Sequence, residues 1–234
     1  MKDSKNMWKK LHSESRYRPK YPSENVVQYV FRNFERNGKT KVLDLGCGAG
    51  RHVFFMGREH ICPYGVDFSD EGIQYTKEML REYGMPEFAD NMKVGTLTDI
   101  PFDDNMFDGI ICNGALYYLG YQEIQKAVKE IERVLKPEGK LMLVVRTTKD
   151  YRCNKEQCIA TEEDNTYIIN EKSAERCAAS ENGMLMHFFT RKELQILFEN
   201  FADVQIDTIE ETHDNGAFKD SNFVLTAIKK KEES

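Results

Sequence analysis

The sequence predicts an α/β fold with a doubly wound, mostly parallel seven-stranded sheet that ends in a C-terminal antiparallel hairpin. Strand-like and helix-like segments alternate from Lys41 to about Val145, as they do in sheets built from βαβ units. The apolar run that ends at Val145 predicts a strand buried on both faces. Two strand-like segments without a helix between them, Val204–Ile209 and Phe223–Ile228, then predict the hairpin.

The individual elements follow from periodicity and from capping residues. Ser69 suits a helix N-cap, and acidic residues follow it in the first turn, where the helix dipole favours them. Thr190 suits the N-cap of a helix from Arg191 to about Asn200. The predicted order of the earlier elements is strand Lys41–Leu45, helix Arg51–Glu59, strand Ile61–Asp67, a helix from Ser69 to about Tyr83, strand Met92–Leu97, strand Phe107–Cys112, helix Tyr121–Leu135, a turn at Pro137–Gly139 and strand Lys140–Val145.

We expect one domain over residues 1–234, with two segments outside the alternating pattern. The first is an N-terminal arm, residues 1–21. The second is an insertion, residues 147–189, which is polar and irregular apart from strand-like runs at Thr166–Ile169 and Met184–Phe189. Long irregular connections in compact domains are usually functional, so we expect both segments to cover a ligand site.

Composition excludes several classes of function. The chain has 234 residues, 40% hydrophobic and 31% charged, which is ordinary for a globular protein. It has no apolar run of membrane-spanning length and no secretory signal pattern, so we expect a cytoplasmic protein without a membrane partner. A net charge of −6 argues against nucleic-acid binding despite the basic arm. The sequence is compatible with a monomer or a homodimer.

Three cysteines in the insertion, Cys153, Cys158 and Cys177, raise the question of a thiolate metal site for zinc or arsenic. Their spacing does not match a paired C-x-x-C module. We therefore interpret them as free thiols and predict no bound metal.

The clearest local signal is the segment Val42–Gly50. A buried strand carrying Asp44 leads into glycines at positions 46, 48 and 50, and a helix follows. Glycines let the backbone turn sharply and let a ligand approach closely, and the helix N-terminus favours negative charge. A dinucleotide fingerprint, G-x-G-x-x-G, would need glycine where Arg51 stands.

The spacing from Asp44 to Gly50, D-x-G-x-G-x-G, resembles the first motif of the class I S-adenosylmethionine (SAM)-dependent methyltransferases, and in particular their small-molecule, type 11-like group. The resemblance covers roughly Val42–Val145, with weaker similarity at Phe188–Leu194. It implies a Rossmann-like methyltransferase fold with SAM as cofactor and S-adenosylhomocysteine as product.

Three further matches carry this resemblance. Asp67 at the tip of the second strand would accept hydrogen bonds from the ribose hydroxyls. Asp99, followed by Ile100, would hold the adenine by accepting its exocyclic amine. Asn113 begins the segment that lines the transfer site in this family. The cofactor-binding residues implied are Asp44, Gly46, Cys47, Gly48, Gly50, Asp67, Phe68, Asp99, Ile100, Asn113, Gly114 and Tyr118, with Arg18 proposed for the methionine carboxylate.

Catalytic residues are hard to identify because a sulfonium methyl group is already activated. Positioning can supply much of the rate, and a base is needed only for a protonated nucleophile. Candidates are Tyr117, Tyr118 and His187, each of which is also compatible with ordinary packing. The leading hypothesis is methyl transfer to an oxygen, nitrogen or carbon atom of a small molecule. Methylation of RNA or protein, and a non-catalytic SAM-binding module, remain alternatives.

Overall fold

A computed structural model describes residues 18–154, 158–173 and 177–231 of the chain. The helices within them are α1 (Glu24–Asn33), α2 (Arg51–Arg58), α3 (Asp70–Glu82), α4 (Tyr121–Val134) and α5 (Arg191–Leu197). The strands within them are β1 (Lys41–Leu45), β2 (Cys62–Asp67), β3 (Met92–Val94), β4 (Phe107–Asn113), β5 (Leu135–Arg146), β6 (Cys158–Ala160), β7 (Thr166–Ile169), β8 (Leu185–His187), β9 (Phe201–His213) and β10 (Phe218–Lys229).

The described strands form a seven-stranded sheet of order β3-β2-β1-β4-β5-β10-β9. Neighbours from β3 to β5 pair in parallel. Only β10 runs against the rest, because it pairs antiparallel with both β5 and β9. The predicted fold class is therefore confirmed. Strand order reverses between β1 and β4, and ligands of doubly wound sheets bind at such a reversal, outside the carboxyl ends of the strands.

Helices cover both faces of this sheet. On one face, apolar side chains of α4 such as Ile124 and Ile131 are fully buried against strand residues such as Leu43. On the other face, Val30 of α1 and Met56 of α2 are equally buried. Each fully buried aliphatic side chain contributes about 1.5–3 kcal/mol relative to exposure, so these two layers hold the ends of β1 and β4 in fixed positions.

The predicted caps are present. The Ser69 hydroxyl accepts a hydrogen bond from the Gly72 N–H at 3.1 Å. The Thr190 hydroxyl accepts one from the Glu193 N–H at 3.2 Å, and the Glu193 carboxylate accepts one from the Thr190 N–H. Both helices therefore begin at the predicted residue, and each strand that precedes them ends at a defined point.

Several predicted boundaries were wrong. The third strand ends at Val94 rather than Leu97, because Thr96 and Asp99 pair with each other across a tight turn. The predicted turn at Pro137–Gly139 lies within β5, where the register against β4 shifts and Glu138 adopts a φ of 62°. The hairpin strands extend well beyond the apolar runs used to predict them, because backbone pairing continues through polar residues.

The insertion is more regular than expected. Its described residues include a three-stranded antiparallel sheet of order β6-β7-β8. Strands β7 and β8 match the two strand-like runs, whereas β6 carries too short an apolar pattern to predict. Residues 1–17 of the expected arm lie outside the described residues. Among the residues described, no helix has both the length and the apolar character needed to cross a bilayer.

Candidate functional site

A cavity of about 420 Å³ opens at the carboxyl ends of β1, β2 and β4. The loop after β1 and the start of α2 form one wall, and Asp67 and Phe68 after β2 form the next. Thr96–Thr98 and the segment after β4 complete the sides. Pro19, before α1, and Leu185, on the insertion, also line the cavity. The volume falls within the usual range for small-molecule sites.

The glycine loop leaves room for a ligand because of its backbone conformation. Gly46 and Gly50 both have a φ of 79°, in the left-handed region that favours glycine. A Cβ atom on Gly46 would overlap the side chain of Ala115. The Gly48 N–H donates a 2.9 Å hydrogen bond to Oδ2 of Asp67. The loop after β1 is therefore fastened to the end of β2, and its glycines cannot be replaced without strain.

Asp67 is buried and oriented by backbone donors. Its Oδ2 accepts the Gly48 N–H, and its Oδ1 accepts the Ser69 N–H at 2.8 Å. Both carboxylate oxygens are hydrogen-bond acceptors that these backbone donors hold in fixed positions. Two adjacent hydroxyls of a ribose match this arrangement. The geometry supports the predicted role, which no bound ligand tests.

Two basic residues that line the cavity, Arg51 and His52, were missed by the sequence interpretation. Arg51, the first residue of α2, has no hydrogen bond to its guanidinium in the described part of the chain, and burial lowers its pKa while Asp44 opposes that effect. His52 accepts the Ser23 N–H at Nε2 over 3.3 Å, and its Nδ1 lies 3.6 Å from Oδ2 of Asp44. The position immediately after the last glycine was the available signal, because helix N-terminal residues border the loop.

The other predicted cofactor residues fall into two groups. Those that line the cavity are Gly46, Cys47, Gly48, Asp67, Phe68, Asn113, Gly114 and Tyr118. Asp44 and Gly50 do not line the cavity. Oδ2 of Asp44 is buried without a hydrogen bond. Ile100 is buried, whereas Asp99 is exposed, and neither is among the lining residues. Arg18 stacks on the ring of Tyr75, 4.4 Å from its centroid, rather than facing the cavity.

Tyr118 connects the cavity to a buried charge network in the insertion. Its hydroxyl donates a 2.6 Å hydrogen bond to Oε1 of Glu181. Burial, followed by the negative charge of Glu181, raises the pKa of Tyr118 well above 10. Burial also raises the pKa of Tyr117, which packs beside it but does not line the cavity. Both phenols therefore keep their protons at neutral pH, and Tyr118 is a hydrogen-bond donor rather than a base.

Glu181 is held by two arginines. Arg152 donates from Nε to Glu181 at 2.8 Å, and Arg146 lies 3.5 Å from the same carboxylate. Asp150 bridges both guanidinium groups at 3.1 Å, and Asp220 of β10 binds Arg152 at 2.7 Å. Asp150 lies within four residues of both arginines, but nothing local in the sequence pairs them with Glu181 or Asp220, so the network was not predicted.

His187 does not line the cavity. It is 1% exposed and lies between the Thr166 hydroxyl, 2.7 Å from Nδ1, and Oε1 of Glu193, 2.9 Å from Nε2. These contacts join β7 and β8 to α5. His187 therefore connects these elements, and none of its contacts supports the proposed role as a base.

Two of the three insertion cysteines have described side chains. Cys153 and Cys158 are free and half-buried, and the side chain of Cys177 lies outside the described residues. Within the described parts of the chain, no group of three or more His, Cys, Asp or Glu side chains is placed to hold a metal ion.

The sheet order, the strained glycine loop and the oriented acid after β2 define a Rossmann-like fold of the methyltransferase type, in which β10 adds the antiparallel strand. Comparison with known proteins agrees: residues 43–143 match the family described as "Methyltransferase domain". Over this segment the chain is similar to the class I SAM-dependent methyltransferases.

Individual proteins similar to this chain are also methyltransferases by their names. The chain is 31% identical over 120 residues to an uncharacterized methyltransferase, YcgJ, of Bacillus subtilis, covering 49% of this chain and 44% of that protein. It is 27% identical over 121 residues to the glycine/sarcosine/dimethylglycine N-methyltransferase of Actinopolyspora halophila, covering 51% and 21%. A crystal structure of a SAM-dependent methyltransferase from Methanosarcina mazei superposes with a TM-score of 0.69 at 23% identity, covering 87% and 97%. The match spans about half or less of the two curated relatives.

Proposed function

We propose that this chain transfers the methyl group of SAM to an oxygen, nitrogen or carbon atom of a small molecule. One observation carries the proposal: a single cavity joins the glycine loop and Asp67 to the residues after β4 and to Leu185 of the insertion. A donor held at the first wall would therefore present its methyl group to an acceptor held at the second.

The residues present fit SAM. Side chains at Gly46 and Gly50 would clash with Ala115 and Thr76, so the close turn of the loop requires glycine at both positions. The free guanidinium of Arg51 suits the methionine carboxylate. The buried Oδ2 of Asp44, which has no hydrogen bond, places negative charge beneath the loop, where the methionine ammonium would lie. Asp67 suits the ribose, and Phe68 lies against the expected position of the base.

SAM supplies an activated methyl group on a sulfonium ion. The protein then needs to position the acceptor and exclude water. Tyr118, held by Glu181, offers a fixed hydroxyl donor at the acceptor wall. Pro19 and Leu185 border the cavity from the two segments expected to cover it, so we propose that the arm and the insertion together close over bound ligands.

Two observations support a small-molecule acceptor. The cavity has the volume of a small-molecule site. The net charge of −6 disfavours RNA as the acceptor. The A. halophila relative is by its name an N-methyltransferase of small amines, which is compatible with this proposal. Methylation of a protein or RNA, and binding of SAM without catalysis, are the competing outcomes.

The test has two stages. Calorimetric titration with SAM, S-adenosylhomocysteine and NAD should show binding of the first two only. Incubation with cell extract and SAM labelled in its methyl group, followed by size fractionation, should then place the label in the low-molecular-weight fraction. An Asp67→Ala variant should transfer less label at the same subsaturating SAM concentration. Label in protein or RNA would contradict the small-molecule assignment, and binding without any transfer would indicate a non-catalytic module.

A further inference from the structure

Glu123 is an acidic side chain that lines the cavity and has no role in the resemblance. It is the third residue of α4. Its Oε2 accepts only a long 3.4 Å hydrogen bond from the Gly120 N–H, and within the described chain its Oε1 accepts none. A half-buried carboxylate with spare acceptor positions, facing a ligand cavity, is suited to a ligand donor.

Glu123 shares the capping of the α4 N-terminus with a second carboxylate. Glu163, from the insertion, accepts the Tyr121 N–H at 2.8 Å and so places its own negative charge at this helix end. Glu123 is therefore available for a ligand without leaving the helix uncapped.

Contacts further along α4 show which part of the cavity Glu123 faces. Oε2 of Glu130 accepts the Ile100 N–H at 2.8 Å, and Arg133 donates to the Ile100 carbonyl at 2.9 Å. This helix face therefore runs along the loop after β3. Glu123 precedes Glu130 by seven residues, so it lies on the same face about 10 Å nearer the helix N-terminus. The cavity-lining part of that loop, Thr96–Thr98, precedes Ile100.

The position of a bound base follows from the ribose. With the ribose on Asp67, at the end of β2, and the methionine on the glycine loop of β1, the base extends in the opposite direction, towards β3. Phe68 and Thr96–Thr98, which follow β2 and β3, line the cavity together with Glu123 at the start of α4.

We infer that Glu123, rather than Asp99, accepts the exocyclic amine of the adenine and so selects a 6-amino purine. The inference rests on the proposed function, since it assigns a residue to the same cofactor. Asp99 is exposed, and its backbone pairs with Thr96 in the tight turn, which directs it away from the lining of the cavity.

The experiment compares binding of S-adenosylhomocysteine with that of S-inosylhomocysteine, in which a carbonyl oxygen replaces the exocyclic amine. Wild type should prefer the adenosyl compound by roughly tenfold to a hundredfold, because a charge-assisted hydrogen bond is lost and the two oxygens repel. Glu123→Gln should reduce that preference to about threefold or less, because an amide can donate to the carbonyl oxygen. Glutamine also preserves the capping geometry.

Matched variants separate the possible outcomes. Glu132→Gln removes a carboxylate from the same helix away from the cavity and should keep the wild-type preference. If Asp99→Asn abolished the preference while Glu123→Gln kept it, the inference would be overturned and the cofactor assignment would stand. If wild type bound neither compound, the proposed function itself would fail. Glu123→Ala, checked by its thermal melting curve, gives a second test and should also lose the preference.

Discussion

The two walls of the cavity are held together in different ways. The glycine-loop wall relies on backbone N–H groups that bind a carboxylate close to them in sequence, as Gly48 and Ser69 bind Asp67, 19 and 2 residues away. The second wall, which we call the insertion wall, consists of Tyr118 and the charged network around Glu181. It relies on side chains distant in sequence: Tyr118 and Glu181 are 63 residues apart, and Arg152 and Asp220 are 68 apart. The first wall is specified by local sequence, whereas the second exists only after the chain has folded.

This difference has energetic consequences. In the glycine-loop wall, each hydrogen bond joins one backbone N–H group to Asp67, so the loss of one hydrogen bond leaves the other in place. A buried ion network fails as a unit, since removal of one partner leaves the others charged and desolvated. Arg146 illustrates the constraint, because its Nε is already buried without a hydrogen-bond partner. Mutations in the insertion wall should therefore reduce stability, and mutations in the glycine-loop wall should reduce ligand affinity.

The largest effect is expected from Arg152→Met. Arg152 is 4% exposed and contacts three carboxylates, so its loss leaves Glu181, Asp150 and Asp220 without their shared cation. The free energy of unfolding should fall by about 3–5 kcal/mol, measured by urea denaturation. Lys149→Met, at an exposed neighbouring position, should change it by less than about 0.5 kcal/mol. Equal effects of the two substitutions would show that the network contributes nothing.

Asp67→Ala tests the opposite wall. It should weaken S-adenosylhomocysteine binding by about 1–3 kcal/mol, because hydrogen bonds from the ribose to a charged acceptor are lost. Calorimetry on the folded variant measures the change, with the exposed Asp90→Ala as the control. Wild-type affinity in Asp67→Ala would remove the ribose assignment.

The same contrast explains how much was predictable from sequence. The glycine loop, Asp67 and the caps at Ser69 and Thr190 are encoded within a few residues, and the sheet followed from the alternation of elements. Glu181 could not be identified, because nothing near it indicates that it meets Tyr118. The structural role of His187 could not be identified from its own segment, because its ring contacts come from Thr166 and Glu193, on other elements.

Thiols report on the rigid core and the insertion separately. Burial raises the pKa of Cys112, on β4, to about 12, and that of the half-buried Cys153 to about 11. An unfolded thiol ionises near pH ~8.5, so above that pH the unfolded chain loses a proton that the folded chain keeps. The contribution of the protonated Cys112 thiol to the free energy of unfolding is therefore fully present below pH ~8.5. Above that pH it falls by about 1.4 kcal/mol per pH unit until the pH reaches the folded pKa.

Urea denaturation between pH 8 and pH 10 checks this expectation. Cys112→Ala and Cys153→Ala should each show a shallower decline of stability than wild type, because both folded pKa values lie above this pH range. The same slope in Cys112→Ala and wild type would mean that the core thiol is accessible to water.

The smallest expected effect concerns Glu163, which joins the insertion to the cavity through the backbone. Its carboxylate accepts the Tyr121 N–H and lies at the positive end of the α4 dipole. Glu163→Ala should destabilise the protein by about 1 kcal/mol, the usual cost of losing an N-terminal cap, and should speed amide exchange in the first turn of α4. The neighbouring exposed Glu162→Ala keeps that hydrogen bond and should have neither effect. If Glu163→Ala left amide exchange in α4 unchanged, the charge network alone would hold the insertion against the cavity. The insertion wall would then depend on no backbone hydrogen bond, unlike the glycine-loop wall.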